Sequence, residues 1–164
     1  MLSAMDRALL ILWHSRTGAA EAMARAAFSG AGDTGRLLAA QEVQPTDLLA
    51  AGGYLFVCPE NLASMSGLMK EMFDRCYYPV LGRIEGRAYA TMIAAGSDGE
   101  GAQRQIDRIA TGWRLRKAAE GFIVNTDAQT PQAILAPKVV PYEALERCRA
   151  LGMAMAEGLA LGVF

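Results

Sequence analysis

The sequence predicts an α/β fold in which a parallel sheet carries helices on both faces. Short runs of consecutive apolar residues alternate with stretches of helix-favouring residues, turn residues separate the two, and the alternation repeats five times. The 164 residues fit one domain, and no linker or internal repeat divides them. We therefore expect a single domain over residues 1–164.

The predicted strands are apolar runs that end at turn residues. The first contains no polar residue and ends in His-Ser-Arg-Thr-Gly, so we expect it to be buried on both faces of the sheet. Pro59 is expected to end the third strand. The five predicted strands are Ala8–Trp13, Arg36–Val43, Tyr54–Cys58, Ala88–Ala95 and Gly121–Asn125.

The predicted helices follow these strands and contain apolar residues at helical spacing. We expect Thr46 to cap the second helix and Pro79 to end the third. The segment from Thr126 to Pro141 is expected to be irregular because it is rich in proline. The five predicted helices are Gly18–Phe28, Pro45–Ala51, Gly67–Tyr77, Ala102–Arg116 and Tyr142–Leu161.

Composition excludes several functional classes. The formal net charge is −1 and no run is rich in lysine or arginine, which argues against nucleic acid as a partner. The first apolar run is far shorter than the roughly 20 residues of a membrane helix, so we expect no membrane segment and a cytoplasmic location. Charged residues make up only 20%, which suggests apolar surface and a homodimer or homotetramer. Three widely spaced cysteines predict free thiols, with no disulfide and no metal.

Three loops that follow predicted strands carry the residues suited to binding. The loop Ser15–Gly18 leads into a helix N-terminus, where free N–H groups and the helix dipole favour a phosphate; an unliganded capping turn is the alternative. The loop after Cys58 mixes amide, hydroxyl and apolar groups, which suits a flat ring with polar edges. The loop 96–101 has three glycines that allow close backbone approach. All three are expected at the carboxyl edge of the sheet, where such folds bind ligands.

Two other phosphate fingerprints do not fit. A P-loop needs a first glycine and a lysine that the loop 14–20 lacks. The sequence Gly30-Ala31-Gly32-Asp33-Thr34-Gly35 follows a helix and precedes a strand, which is the reverse of the order in a dinucleotide site. We interpret this glycine-rich stretch as a connection between elements.

Two segments resemble a known family. The loop His14-Ser15-Arg16-Thr17-Gly18-Ala19-Ala20 resembles the phosphate loop of flavodoxins. The segment from Pro59-Glu60-Asn61 through Ser66-Gly67 and Lys70 to Phe73-Asp74-Arg75 is similar to that of NAD(P)H-dependent FMN reductases and flavodoxin-like quinone reductases. The resemblance extends to about Val124. It implies a flavodoxin-like three-layer sandwich whose five-stranded parallel sheet has the order 2-1-3-4-5.

The resemblance also implies a non-covalent FMN. The residues implied at the phosphate are Ser15, Arg16, Thr17, Gly18, Ala19 and Ala20. Those implied along the isoalloxazine ring are Pro59, Glu60, Asn61, Leu62, Ala63, Ser64 and Met65. Those implied at the other edge of the ring are Gly96, Ser97, Asp98 and Gly99. Ala20 departs from the pattern, because a second threonine often donates to the phosphate there.

The function implied is an oxidoreductase that passes hydride from NAD(P)H through flavin N5 to a quinone, a flavin or a similar small-molecule electron acceptor. No catalytic side chain is expected, because the cofactor carries this chemistry. Two alternatives stay open. One is an electron carrier of the flavodoxin type without turnover of its own, against which the near-neutral charge argues. The other is a binding module that has lost the cofactor.

Overall fold

The computed structural model describes residues 8–164. A parallel sheet runs through it in the order β2-β1-β3-β5, and two short strands, β6 and β7, share the last position beside β5. The seven strands are β1 Leu9–Trp13, β2 Gly35–Ala39, β3 Gly53–Asn61, β4 Ser64–Met65, β5 Ala88–Ala95, β6 Arg116–Lys117 and β7 Phe122–Asn125. The predicted order 2-1-3-4-5 is confirmed, with its fifth strand divided in two.

Helices cover both faces of the sheet. They are α1 Ala19–Ala31, α2 Pro45–Ala50, α3 Gly67–Val80, α4 Glu100–Gly112, α5 Pro131–Leu135 and α6 Tyr142–Leu161. Because successive side chains of a strand point to opposite faces, the buried central strands feed two separate cores. One core packs against α1 and α6, and the other against α2, α3 and α4. The predicted three-layer sandwich is confirmed.

The first and last helices cross closely. A Cβ at Gly152 would come within 2.1 Å of the Ala27 carbonyl oxygen, and a Cβ at Gly30 within 2.0 Å of the Arg149 carbonyl oxygen. Only glycine therefore fits at these two points. Gly30 and Ala31 lie inside α1, so the predicted end of the first helix at Phe28 was wrong; only the rest of the glycine-rich stretch is a connection, a 3-10 turn at Gly32–Thr34 before β2.

Several predicted boundaries were wrong. Strand β3 passes through Pro59 to Asn61. Proline has no N–H to donate, but β1 ends opposite Val57, so no β1 residue lies beside Pro59 to accept such a hydrogen bond. Helix α3 continues through Pro79 to Val80, since a proline in the last turn removes only one intrahelical bond. The predicted second strand ends early, and residues 40–42 form a 3-10 turn.

The remaining differences from the prediction concern the start of α2, the end of α4 and the proline-rich segment. Helix α2 starts after Gln44, whose N–H donates to the Asp47 carboxylate, so Thr46 is not its cap. Helix α4 ends at Gly112, because Arg114 takes a left-handed conformation (φ 60°) and the chain turns into β6. The proline-rich segment contains α5, which Thr130 caps through the Ala133 N–H. In the described residues, no helix is long and apolar enough to span a bilayer.

Candidate functional site

A cavity of about 620 Å³ lies at the carboxyl edge of β1, β3 and β5. Its volume is typical of small-molecule and cofactor sites. Twelve residues named from the sequence line it, together with seven that were not. The former are Ser15, Arg16, Thr17, Ala19, Ala20, Pro59, Glu60, Asn61, Leu62, Ala63, Gly96 and Ser97, and the latter are Ala94, Ala95, Thr126, Ala128, Ile134, Leu135 and Lys138.

The loop after β1 and the first residues of α1 line this cavity and leave N–H groups unpaired there. Gly18 takes a left-handed conformation (φ 102°) that turns the chain into α1, and its N–H donates to Ser15 Oγ at 3.1 Å. The first intrahelical bond runs from the Ala22 N–H to the Gly18 carbonyl. Within residues 8–164 no acceptor is assigned to the N–H groups of Ala19 and Ala20, although both residues are buried. Buried donors without an acceptor at a helix N-terminus make an anion site.

Two cations accompany these donors. Arg16 and Lys138 both line the cavity, and neither forms an ion pair with any carboxylate of the described residues. Lys138 Nζ lies 3.3 Å from Thr17 Oγ1, and the Lys138 N–H donates to the Thr17 carbonyl at 2.8 Å. The loop is therefore positive as well as rich in donors, which favours a doubly charged anion.

The wall formed after β3 is a tight hairpin. Strands β3 and β4 pair antiparallel, with Asn61 opposite Ser64, so Leu62 and Ala63 form a two-residue turn. Both have positive φ, 54° and 64°, which is the backbone of a type I′ turn normally built from asparagine and glycine. Leu62 is fully exposed at the tip. The hairpin thus holds an apolar side chain at the mouth of the cavity.

Glu60 joins this hairpin to α4. Its carboxylate accepts from the Gly99 N–H at 2.9 Å and from the Ala102 N–H at 3.0 Å, so it caps the helix from a distant strand. A Cβ at Gly101 would come within 2.3 Å of the Ala63 carbonyl oxygen, which brings the first turn of α4 against the hairpin tip. The second and third predicted loops therefore form one connected wall.

The third loop approaches from β5. Asn125 Nδ2 donates to the Ser97 carbonyl at 2.6 Å, and Gln129 Nε2 donates to the Gly96 carbonyl at 2.9 Å. These bonds attach the loop to the segment that follows β7. The carbonyls of Gly96 and Ser97 are thereby occupied, and the backbone that faces the cavity is fixed.

Residues 39–126 match the profile of the family described as NADPH-dependent FMN reductase. The chain belongs to this family. The matched range contains the hairpin, the loop 96–101 and the Glu60 cap between them, and it confirms the resemblance seen in the sequence. No curated protein matches the sequence at a significant level.

Solved structures share the fold of this FMN reductase family member. An archaeal flavodoxin aligns with a TM-score of 0.74 and 17% identity over 93% of this chain and 98% of its own. A flavodoxin, WrbA-like protein from Agrobacterium tumefaciens aligns with a TM-score of 0.70 and 17% identity over 93% and 97%. Rubredoxin oxygen:oxidoreductase from Desulfovibrio gigas aligns at 0.77 and 15% over 96% of this chain but 37% of its own. At these identities the likeness establishes the flavodoxin-like fold.

Five of the residues named from the sequence do not line the cavity. Gly18 shapes the first loop through its left-handed backbone conformation. Ser64 Oγ and the Met65 N–H both donate to Gln105 Oε1, which directs them towards α4. Asp98 and Gly99 also serve the start of α4, through the Glu100 N–H and the Glu60 carboxylate.

The lining that the sequence did not reveal comes mainly from the segment after β7. This segment follows the carboxyl end of a strand like the other three loops, so the rule that predicted them applies to it too. Thr130-Pro131 is also a recognisable helix start. Because the segment is rich in proline, it was predicted to be irregular, and neither its position after a strand nor its helix start was used. Lys138 itself carries no local motif.

Two buried titratable residues, His14 and Cys58, directly precede lining residues of the cavity. Burial raises the pKa of Cys58 to about 12, although Ser66 hydrogen-bonds to the thiol. Burial, and then the positive charge of Arg16, lower the pKa of His14.

Proposed function

We propose that this chain is an FMN-binding oxidoreductase that uses NADPH or NADH to reduce a quinone, a flavin or a similar small acceptor. The observation that carries the proposal is that the buried residues Ala19 and Ala20, whose N–H groups have no assigned acceptor in residues 8–164, line a cavity of cofactor size at the start of α1. Membership of the NADPH-dependent FMN reductase family supports the same function.

The residues present fit the phosphate end of FMN. The N–H groups that begin α1 and the hydroxyls of Ser15 and Thr17 are donors, and Arg16 adds positive charge. Ala20 supplies its N–H alone, with no hydroxyl. We therefore propose that phosphate binding relies more on backbone donors and charge than on side-chain hydroxyls.

The opposite part of the cavity fits a flat heteroaromatic ring. Pro59, Leu62 and Ala63 provide apolar surface, while Asn61 and Ser97 provide polar groups. Rings of this kind need contact area together with a few fixed hydrogen bonds. The Glu60 bridge and the bonds from Asn125 hold these walls in place before any ligand binds.

When bound, FMN supplies the transfer of reducing equivalents between the nicotinamide and the acceptor. The chain's own residues bind the phosphate, orient the ring and leave the mouth of the cavity open beside Leu62. No side chain is assigned as a proton donor, because the lowered pKa of His14 favours its neutral imidazole and the Cys58 thiol, with a pKa of about 12, is a very weak acid.

Reconstitution tests the proposal. Purified chain is titrated with FMN while flavin fluorescence is followed, and the loaded protein is assayed for NADPH and NADH oxidation with a benzoquinone. Quenching with saturable binding, followed by acceptor-dependent oxidation, is the expected result. Absence of quenching even at high micromolar FMN overturns the proposal.

One observation favours a second candidate, a binding module without cofactor. Ala20 is buried with 1% exposure and lacks the hydroxyl that a phosphate loop often has. A Thr17→Ala variant separates the two functions. Under the main proposal it binds FMN markedly more weakly than the wild type, whereas a cofactor-free module keeps its properties. Binding without turnover would instead indicate an electron carrier.

A further inference from the structure

The segment after β7 places a charged side chain against the phosphate loop. Lys138 Nζ donates to Thr17 Oγ1 at 3.3 Å and to the carbonyls of Ile134 at 2.8 Å and Ala136 at 2.6 Å. The Lys138 N–H also donates to the Thr17 carbonyl. These bonds fix the ammonium group at the loop, and no carboxylate in residues 8–164 forms an ion pair with it.

The hydrogen bond has a direction that matters. An ammonium group only donates, so Thr17 Oγ1 must accept from Lys138 and its own proton points elsewhere. Thr17 lines the cavity, and its hydroxyl is then free to donate into it. A hydroxyl polarised by a neighbouring cation is a better donor to an anion than an isolated one.

We propose that Lys138 is a positioning residue for the phosphate of FMN, acting through Thr17 and through its charge, in place of the hydroxyl that is missing at Ala20. The inference rests on the proposed function. It assigns the discrimination between phosphorylated and unphosphorylated flavin to a residue 121 positions away from the loop it serves.

A purely structural role for Lys138 is the competing explanation. Its bonds to the Ile134 and Ala136 carbonyls satisfy the end of α5, as a lysine often does at a helix C-terminus. Loss of such a cap loosens one wall of the cavity and weakens every flavin alike. Loss of a phosphate-positioning charge weakens only the ligand that carries a phosphate.

The test measures the affinities of the full chain for FMN and for riboflavin, which share the ring and differ in the phosphate. Lys138→Met keeps the backbone bond to Thr17 and removes the charge. We expect it to weaken FMN about tenfold with little change for riboflavin, to make FMN binding less sensitive to salt, and Lys138→Arg to restore most of the loss. Lys70→Met is the matched control, because Lys70 pairs with Asp74 on α3, outside the cavity lining.

A double-mutant cycle tests whether Lys138 acts through Thr17. The losses from Thr17→Ala and Lys138→Met are expected to be less than additive for FMN. Equal weakening of both flavins by Lys138→Met, or no weakening, overturns the inference while the proposed function stands. If the wild type binds neither flavin, the proposed function fails and the inference fails with it. Thermal unfolding of each variant without flavin establishes that it is folded.

Discussion

His14 Nδ1 lies 2.8 Å from Ser66 Oγ, and both side chains are buried. His14 begins the loop that leads to α1, and Ser66 directly precedes α3. The hydrogen bond therefore links the loop after β1 to the end of the hairpin that leads into α3. It also holds an ionisable group in a place where its charged form is disfavoured.

The first prediction concerns pH. Because burial lowers the pKa of His14, the unfolded chain binds a proton more readily than the folded one below the ordinary histidine value of about 6.5. The free energy of unfolding should fall as the pH drops from 7 to 5. Urea unfolding at a series of pH values should show a steeper fall in the wild type than in His14→Asn. Parallel pH profiles for the two proteins would show that His14 is not the source of this pH dependence.

The second prediction concerns Gly18. An alanine there must adopt a φ of 102°, which costs about 1–2 kcal/mol, and the strain falls on the loop that presents the N–H groups. We expect Gly18→Ala to lower both the free energy of unfolding and the FMN affinity. Gly67→Ala is the matched control, since Gly67 also begins a helix, has no positive φ and has open space at its Cβ. Chemical unfolding should find the control neutral or slightly stabilised.

The third prediction concerns the carboxylate bridge. In Glu60→Gln one oxygen is replaced by an NH₂ group, so only one of the two N–H groups at the start of α4 keeps its acceptor. We expect a loss of about 1–3 kcal/mol in urea unfolding. Glu100→Gln removes a charge from the same helix turn without removing an acceptor, and should cost under about 0.5 kcal/mol. Equal losses would show that charge at the helix end, not capping, stabilises this wall.

The fourth prediction concerns the hairpin tip. Ala63 occupies the second position of the turn with φ 64°, where glycine is favoured. Ala63→Gly should raise the free energy of unfolding by a few tenths to about 1 kcal/mol, the relief of strain exceeding the entropy cost of glycine. Ala26→Gly, on a partly buried position of α1, should instead destabilise by about 1 kcal/mol. A destabilised Ala63→Gly would mean that the turn is not strained.

Local patterns were sufficient for the central strands and for the first site loop, whereas the order of the strands was implied by the resemblance. Leu9–Trp13 is apolar throughout and Ala88–Ala95 is apolar except for Thr91, so their burial follows from composition, and Gly18 stands where a strand must turn into a helix. These features depend on residues adjacent in sequence. For that reason the order of elements and the position of the cavity edge could be predicted.

The features that sequence reasoning missed depend on distant partners. Nothing near Pro59 indicates that its strand continues, because the reason lies in where β1 ends. Nothing near Glu60 indicates that it caps α4, 39 and 42 residues further on. Lys138 meets Thr17 only once the sheet has brought the two together. Such contacts follow from the topology, and a single sequence does not predict which distant residues the topology brings together.

The crossing of α1 and α6 at Gly30 and Gly152 has a consequence for synthesis of the chain. The apolar side of β1 and β3 that these helices cover stays open on the ribosome until α6 has been made. Lys138 also emerges long after the loop it contacts. A nascent chain that already contains the whole sheet therefore still exposes an apolar surface and an incomplete cavity, and both are completed only after Lys138 and α6 have emerged from the ribosome.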